Sequence, residues 1–464
     1  MRPRLALLAA TAAAFSSTLA TPRDAVATQE RGIEPGMPGE TLPDTLDLDT
    51  ALDLALTRNP VLSQSRYATD IAGADKRAAL GAFLPTANAN LGLSRSTFTT
   101  STFENPQGET EELPEPLSSE SGSGNTGIGL SWTVFDASLI ASLRESDANL
   151  DASRSRLDDQ RLAVAARVQR AYIEAIRRQT LLELTRQQIA DRELELEIAE
   201  RRYQIAAVER SDVLGAEQNL ISAEISLLNE TSQLETNLRA LSVEIGLPAE
   251  ASEGTTLVDL TLLPDASGLN SETLVAYALG EDPELRALDA DRAAASASLW
   301  GTKSRFLPTI SLGYSWGWRD QFGPGANFFQ FVYGSRSQGL SLSAQWTLFD
   351  GFNRVSTAQS ATARRSQAEE SLRQRRLEIE RDVRRFLQQI DELAQTLVLL
   401  ERGLQISEER LTMTRLQYQN GTTDFTALQQ AISAVTSAER QLIEARYNYL
   451  ASWVDLEEYV GDIR

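Results

Sequence analysis

The chain has 464 residues, 23% of them charged, with a net charge of −21 at neutral pH. Such an acidic chain lacks the basic face that nucleic-acid binding needs, so nucleic acid is not an expected partner. It contains no Cys and no His, which excludes disulfides, a lipid anchor on cysteine, and the commonest metal ligand and general base. We therefore expect no cofactor, no metal and no enzymatic activity.

The first 20 residues predict a secretory signal peptide, because a basic start precedes an Ala- and Leu-rich stretch at 5–19. That stretch is too short to span about 30 Å of hydrocarbon. Cleavage is expected after Ala20 or after Ala27. Residues 28–45 are rich in Gly, Pro and Glu and predict a disordered leader. No later stretch has ~18 uninterrupted apolar residues, so no transmembrane helix is predicted.

The remaining chain repeats its own motifs at an offset of roughly 214–223 residues. Phe-Leu-Pro at 83–85 returns at 306–308, and Trp-Thr-Val-Phe-Asp at 132–136 returns as Trp-Thr-Leu-Phe-Asp at 346–350. Solenoid units are about 20–50 residues long, so this spacing indicates a duplicated half-protein instead. The predicted boundaries are 46–250 for the first repeat, 251–270 for a linker and 271–464 for the second repeat.

In each repeat, the first predicted elements in chain order are a shorter helix and two strands. The shorter helices span 46–83 and 271–306. The strands are predicted around 86–94, 127–134, 310–318 and 340–348, where apolar and aromatic residues alternate with Ser, Thr, Gly and Asn. Such alternation is typical of a barrel with a lipid-exposed outside and a hydrated lumen. A half-buried soluble sheet is the alternative.

Two features of the strands favour the membrane interpretation. The polar face has too little side-chain volume to pack a core. The four tryptophans of the strands lie on the apolar face, as an interfacial aromatic belt requires. These predicted belt residues are Trp132, Trp316, Trp318 and Trp346.

Two loops connect the strands within the repeats. Residues 99–124 carry six glutamates among Ser, Pro and Gly, and they predict a mobile external loop with or without a receptor role. Residues 320–335 are rich in Gly and Phe and predict a more ordered loop.

A very long helix follows the strands of each repeat, at 137–203 and at 352–418. Apolar residues recur there at alternating spacings of three and four, which is a coiled-coil pattern. About 67 helical residues extend roughly 100 Å, so the molecule must be elongated. The last helices, 211–245 and 423–460, are each about half as long, and stacked end to end with the first helices they would match the long one. The alternative, an ordinary four-helix bundle, has much shorter helices.

Four strands leave two sheet edges, and hydrocarbon does not tolerate an open edge. Additional copies of the chain must therefore close the sheet. Two chains would give eight strands and a lumen filled by side chains, whereas three would give twelve strands with room for a pore.

The order of elements in each half resembles that of the TolC family of outer-membrane efflux proteins. The resemblance covers about 46–460 and rests on Phe-Leu-Pro before the strands, Trp-x-x-Phe-Asp after them, Phe-Asp-Gly at 349–351 and Tyr-x-x-Gly at 418–421. It implies a mixed α and β membrane protein in which duplicated coiled-coil hairpins form a periplasmic tunnel. It also implies a homotrimer with a twelve-stranded barrel in outer-membrane lipid, docked on a periplasmic adaptor protein and an inner-membrane transporter.

The resemblance also points to the helical hairpin ends, although the sequence departs from the family pattern there. Ala206 and Ala137 stand where the pattern has Gly, and Ala427 and Gln430 stand where members often carry Asp. We expect the periplasmic entrance to be formed by Asp212, Asp424, Tyr203 and Tyr418, and the adaptor-docking tips by Ala206, Ala207, Val208, Gly421 and Thr422. The alternative is that the tips are only tight turns and that both aspartates are helix N-caps.

These features together predict a passive exit duct, which serves a tripartite efflux pump or a type I secretion system. It would lie in the outer membrane and extend into the periplasm. The alternatives are a periplasmic coiled-coil adaptor, which would carry one hairpin between compact β domains, and a secreted enzyme. The sequence has neither a nucleophile elbow nor a phosphate-binding Gly loop, which disfavours the enzyme.

Overall fold

The computed structural model describes residues 41–104, 106–206, 208–260, 263–265, 268–322 and 335–460. The predicted signal peptide, most of the predicted leader, Ala207 and most of the loop predicted at 320–335 lie outside the described residues. None of the helices in the described part of the chain has the length and apolarity to cross a bilayer.

The described residues form long helices and a small set of strands. The helices are α1 (Leu48–Arg58), α2 (Pro60–Gly81), α3 (Ala137–Gln204), α4 (Arg210–Ile245), α5 (Ser271–Glu281), α6 (Pro283–Ser304), α7 (Asn353–Gln419) and α8 (Phe425–Val460). The strands are β1 (Thr45–Leu46), β2 (Thr86–Glu104), β3 (Thr110–Phe135), β4 (Thr256–Leu257), β5 (Thr309–Phe322) and β6 (Ser335–Gln345).

The two very long helices are confirmed, with 68 residues in α3 and 67 in α7. The duplicated aspartate of the Trp-x-x-Phe-Asp motif lies just before both of them, although the N-cap of α7 is Phe352 and not Asp350. Asp136 is the N-cap of α3, and its carboxylate accepts a hydrogen bond from the Ser138 backbone N–H at 2.8 Å. The Asp350 carboxylate accepts one from the Arg354 N–H at 3.0 Å in the first turn of α7. Each strand pair therefore leads directly into its long helix.

The predicted helices at 46–83 and 271–306 are each split in two, which corrects the expectation of continuous helices. The break falls at Asn59-Pro60 in the first repeat and at Asp282-Pro283 in the second. Proline fits the first position of a helix but not its interior, because it lacks an N–H and its ring collides with the preceding turn. In both repeats the residue before the proline caps the new helix with its side chain.

The predicted end-to-end stacking is confirmed in the first repeat, where α4 ends against the start of α2. Asn59 is only 4% exposed, and its Nδ2 donates a hydrogen bond to the Glu244 carbonyl at 2.7 Å. Gly246 ends α4 with a left-handed φ of 96°. A Cβ on Gly246 would lie 2.8 Å from the Arg58 carbonyl oxygen and 2.9 Å from the Asn59 Cα. The joint thus needs glycine for two separate reasons.

In the second repeat the equivalent joint is charged. Asp282, 3% exposed, replaces Asn59 and forms a 2.7 Å ion pair with Arg375 of α7. A cavity of about 160 Å³ adjoins it and is lined by Asp159, Leu162, Ala163, Glu284, Arg375, Glu458 and Tyr459. Burial raises the pKa of Asp159, and the nearby Asp282 raises it further. The pKa of Glu284 is also raised, by burial first and then by Asp159.

A parallel two-stranded pair, β1 with β4, was not predicted and is part of the main core. The Tyr172 hydroxyl of α3 lies 3.0 Å from the Leu46 carbonyl and 2.7 Å from the Val258 carbonyl, and burial raises its pKa to about 12. Leu42 is buried, and its N–H donates to the Ala251 carbonyl at 2.7 Å. The end of the predicted leader and the start of the predicted linker therefore pack against the long helix.

The four predicted strands form one antiparallel sheet in the order β2-β3-β5-β6. The second strand is longer than predicted. The prediction of a mobile loop at 99–124 is wrong, because most of these residues belong to β2 and β3. Thr97 pairs with Glu120, and the pairing continues to Glu104 with Thr110. A run of Ser, Thr and Phe favours extended backbone, and its glutamates are exposed to water, so the acidic residues do not prevent strand formation. The last strand begins and ends earlier than predicted, at Ser335 and Gln345.

Replacing Gly246 by Ala is expected to destabilise the protein strongly. An alanine there would cost about 1–2 kcal/mol for its left-handed backbone and about 1–3 kcal/mol for moving α1 and α2. The measurement is the midpoint of unfolding of the detergent-solubilised protein. Gly254→Ala is the matched control, because Gly254 also has a left-handed φ, 82°, but has open space around its Cβ position. Equal losses in both variants would contradict the role of the joint contact.

Asp159→Asn is expected to stabilise the protein at pH 7. A raised pKa in the folded state means that the ionised Asp159 carboxylate destabilises the folded protein. Protonation removes this destabilisation as the pH falls towards 3.8, the ordinary pKa of aspartate. The gain in unfolding temperature should therefore fade as the pH is lowered from 7 to about 4. Asp158→Asn is the control, since Asp158 is half exposed and pairs with Arg161 on the surface at 2.7 Å. A pH-independent gain at Asp159 would refute this interpretation.

Candidate functional site

The candidate site is the path along the sheet and the long helices rather than a catalytic pocket. No group of acidic side chains in the described ranges is arranged to hold a metal ion. Two features bear on function. One is the pair of faces of the four-stranded sheet, and the other is the pair of helical hairpin tips at the far ends of the long helices.

One face of the sheet carries only short polar side chains and glycine over most of its length. Thr86 and Ser131 hydroxyls lie 2.7 Å apart across β2 and β3, and those of Ser94 and Ser123 lie 2.8 Å apart. Gly127 and Gly317 pair between β3 and β5. A Cβ on Gly317 would lie 2.6 Å from the Thr126 carbonyl oxygen. This face therefore carries small, hydroxyl-rich side chains that are exposed in the single chain, as a hydrated surface requires.

The opposite face is mainly apolar, although β6 carries Gln338 and Arg336 on it farther from the helices. Ala89, Ile128, Trp316 and Gln338 follow one another across the sheet at one level, and Ala87, Leu130, Tyr314 and Leu340 at the next. Leu340 and Leu342 are 73% and 72% exposed. Such a broad exposed apolar surface next to a polar one is the pattern of a lipid-facing sheet.

The predicted belt tryptophans lie at two levels of this apolar face. Trp132 donates from its indole N–H to the Phe83 carbonyl at 2.9 Å, and Trp346 donates to the Phe306 carbonyl at 3.0 Å. The two duplicated motifs therefore meet where strands join helices. Trp132 pairs with Leu312, so Trp316 and Trp318 are about 13–20 Å farther along β5. Their rings are in contact, with centroids 4.2 Å apart.

The hairpin tips use a left-handed residue in both repeats. Ala206 has a φ of 56° and Gly421 a φ of 73°, at equivalent positions of the two turns. Alanine in this conformation costs roughly 1–2 kcal/mol, which explains why glycine is the ordinary residue there. Ala206, Gly421 and Thr422 are exposed and Val208 is half-buried, while Ala207 lies outside the described residues.

The two predicted entrance tyrosines are not equivalent. Tyr203 is 46% exposed, whereas Tyr418 is only 5% exposed, which corrects the expectation that Tyr418 faces the entrance. The Arg202 guanidinium lies 4.4 Å from the centre of the Tyr418 ring, and its Nη1 donates to the Tyr418 carbonyl at 3.1 Å. Burial raises the pKa of the Tyr418 hydroxyl, although the Arg202 charge opposes the shift. Arg202, which sequence reasoning did not select, thus links the first hairpin to the second.

The two predicted entrance aspartates also differ. Asp424 caps α8, where its Oδ1 accepts the Ala427 N–H at 2.8 Å, and it is exposed. Asp424 is therefore a helix N-cap, which was the alternative to an entrance role. Asp212 is half-buried in the first turn of α4 and close enough for its charge to raise the pKa of Tyr418. A carboxylate in the first turn is favourable for the helix dipole.

A polar network farther from the tips was not predicted either. The Arg192 Nη1 of α3 donates to Glu195 and to Gln429 of α8, both at 2.9 Å. Asn219 of α4 donates to the same Gln429 oxygen at 2.7 Å. Glu195 is 8% exposed, and one of its oxygens has no hydrogen-bond partner. Long polar side chains in a coiled coil are common on solvated faces, so the sequence carries no clear sign of this network.

Several known proteins are similar to this chain. It is 25% identical over 334 residues to the alkaline protease secretion protein AprF of Pseudomonas aeruginosa, covering 72% of this chain and 69% of that protein. It is 22% identical over 346 residues to outer membrane protein TolC of Vibrio cholerae, covering 73% and 77%. The solved CmeC outer membrane channel of Campylobacter jejuni has the same fold, with a TM-score of 0.76 at 16% identity over 89% of this chain and 85% of that one.

The family comparison divides the chain as the sequence repeats do. The pattern of the family described as "Outer membrane efflux protein" matches residues 51–247 and 274–462, which correspond to the two repeats and leave the linker between them unmatched. Together these segments make up most of the chain. The chain therefore belongs to the outer membrane efflux protein family.

Proposed function

We propose that this protein is the passive outer-membrane exit duct of a tripartite efflux pump or type I secretion system, with no chemistry of its own. The observation that carries the proposal is the four-stranded sheet. It has an apolar, tryptophan-bearing face and a hydroxyl-rich face, and it runs directly into helices of 68 and 67 residues. A lipid-facing outside, a hydrated inside and a long rigid wall are what a duct needs.

The unpaired edges of β2 and β6 support a homotrimer. The edge strands carry backbone N–H and C=O groups that have no partner within the described sheet, and in lipid each such group costs several kcal/mol. Three copies close twelve strands around a water-filled space, whereas eight strands leave only room for side chains. A periplasmic adaptor, the alternative function, has no need of a lipid-facing sheet.

The detergent-solubilised protein is expected to have three times the native mass of one mature chain, because the sheet edges need partners. It should also form discrete conductance steps when added to a planar lipid bilayer. Light scattering of the protein–detergent complex and single-channel recording are the measurements. A stable monomer, or a trimer that never conducts, would refute the duct.

We further propose that the hairpin tips dock a periplasmic adaptor and narrow the entrance, with an inner-membrane transporter as the source of cargo. Small exposed residues, Ala206, Gly421 and Thr422, leave the backbone accessible to a partner, and Val208 and Ala207 complete the tip. Two contacts hold the two hairpins of one chain together: the Arg202 guanidinium against the Tyr418 ring, and the hydrogen bond from Arg192 to Gln429. Opening the entrance would then require these contacts to change.

The entrance should select cations, because three-fold symmetry turns Asp212 and Asp424 into rings of carboxylates. Asp212→Asn and Asp424→Asn are each expected to shift the cation-to-anion permeability ratio towards one in bilayer recordings. Asn also caps helices, so Asp424→Asn should leave stability unchanged, while Asp424→Ala should lose about 1 kcal/mol. An unchanged ratio in both Asn variants would mean that the aspartates serve only the helix ends.

A further inference from the structure

The alternation of the β2–β3 hairpin places two large apolar side chains on the polar face of the sheet. Even-numbered residues of β2 lie on that face together with odd-numbered residues of β3. Hydroxyl pairs follow one another along it, ending with Ser94–Ser123 at 2.8 Å and Ser96–Ser121 at 3.2 Å. The next pair on the same face is Phe98 with Ser119.

Leu117 lies beside Phe98 on this face. It pairs with Thr100, the next even-numbered residue of β2, and the register has no shift before that point. Phe98 is 75% exposed and Leu117 66% exposed in the single chain. The two side chains are diagonal neighbours, a position from which aromatic and long side chains touch each other.

The opposite face of the hairpin is polar at the same level. Arg95 forms an ion pair with Glu120, and Glu120 is paired in register with Thr97. The polarity of the two faces is therefore inverted relative to the lower part of the sheet, where leucines and tryptophans lie on the odd-numbered face of β2. At this height the outward face of the hairpin carries Thr97 and Glu120 instead of apolar side chains, so it lacks the lipid-facing pattern of the lower sheet.

This inversion lies beyond the tryptophan level and on the side away from the helices. Leu91 shares a level with Thr126 and Trp318. Phe98 is seven residues farther along β2, or about 23 Å. The described pairing of β3 with β5 ends at Gly122, three residues below the level of Phe98. Among the described residues, Phe98 and Leu117 thus lie on the β2–β3 hairpin beyond the last β3–β5 pair.

We propose that Phe98 and Leu117 form an apolar ring that narrows the outer mouth of the duct. The proposal rests on the trimer of the proposed function, in which the polar face lines the lumen. The twelve-stranded barrel below this level has a backbone radius of roughly 12 Å, and where the β2–β3 hairpins continue its wall, a phenylalanine reaching about 6 Å inwards halves that radius. Apolar or amphipathic cargo makes favourable contact with the same ring, which makes these residues specificity determinants at the exit.

The chain has no cysteine, so single cysteines can report which face lines the lumen. Phe98→Cys and Thr97→Cys are each reacted with a polyethylene glycol maleimide added to the loop side of a bilayer. Labelling at 98 is expected to block most of the single-channel current, whereas labelling at 97, on the outward face, should leave it unchanged. Equal effects at the two positions would overturn the assignment of Phe98 to the lumen.

The double variant Phe98→Ser, Leu117→Ser measures the size of the ring. Neutral polyethylene glycols added on the loop side alone define the largest polymer that enters the mouth, whatever the state of the distant entrance. The variant should admit polymers about 1.5-fold larger in radius than the unsubstituted protein does. Thr97→Ser, Thr99→Ser is the control on the outward face and should not change the limit.

The outcomes separate this proposal from the duct itself. If the unsubstituted protein forms trimers and conducts, but the serine variant has the same polymer limit, the ring is refuted and the duct stands. If the unsubstituted protein never conducts, the proposed function fails, and the ring fails with it. Native mass of each variant confirms that an altered limit does not arise from loss of the trimer.

Discussion

The requirement that every backbone hydrogen-bonding group be paired in a lipid environment governs the rest of this structure. The sheet has an apolar face built for lipid, yet within the described residues the edges of β2 and β6 have no partner strand. The polar face cannot act as a core, because Ser, Thr and Gly supply too little apolar area to bury. Both facts lead to the same arrangement, in which copies of the chain share one sheet and the polar faces enclose water.

The helical part follows from how the sheet is joined to it. In each repeat a tryptophan indole donates to the carbonyl of the Phe-Leu-Pro phenylalanine, and an aspartate accepts a backbone hydrogen bond from the first turn of the long helix. The shorter helices stack along the long one. They meet at a joint where an asparagine or aspartate caps a helix whose first residue is proline. Where the halves differ, the difference is chemical rather than architectural. Asn59 is replaced by the ion-paired Asp282, whose charge adds to the raised pKa of the neighbouring Asp159.

The ion pairs of this protein contribute unevenly to its stability. Many of its ion pairs join residues three or four apart on exposed helix faces, such as Arg365 with Glu369, and such pairs are worth about 0–1 kcal/mol each. Some of the more buried ones connect different helices, such as Arg375 with Asp282 and Arg440 with the 8%-exposed Glu230, whereas others, such as Arg192 with Glu195, lie within one helix. Losing one member of such a pair leaves an uncompensated buried charge. Each exposed pair therefore adds little stability, while the buried pairs between helices hold those helices together.

The sequence alone determined the duplicated order of elements, the bounds of the long helices to within one residue, and the two faces of each strand, because these depend on local periodicity. It did not determine the β1–β4 pair, the Arg202–Tyr418 contact or the Arg192–Gln429 network, since each joins residues at least 200 positions apart or two-residue strands without a pattern. The acidic hairpin at 99–124 was also decided by tertiary structure. Cross-strand pairing with water on both sides accommodates glutamates that local composition assigns to a loop, and only the resulting register places Phe98 on the lumen-type face.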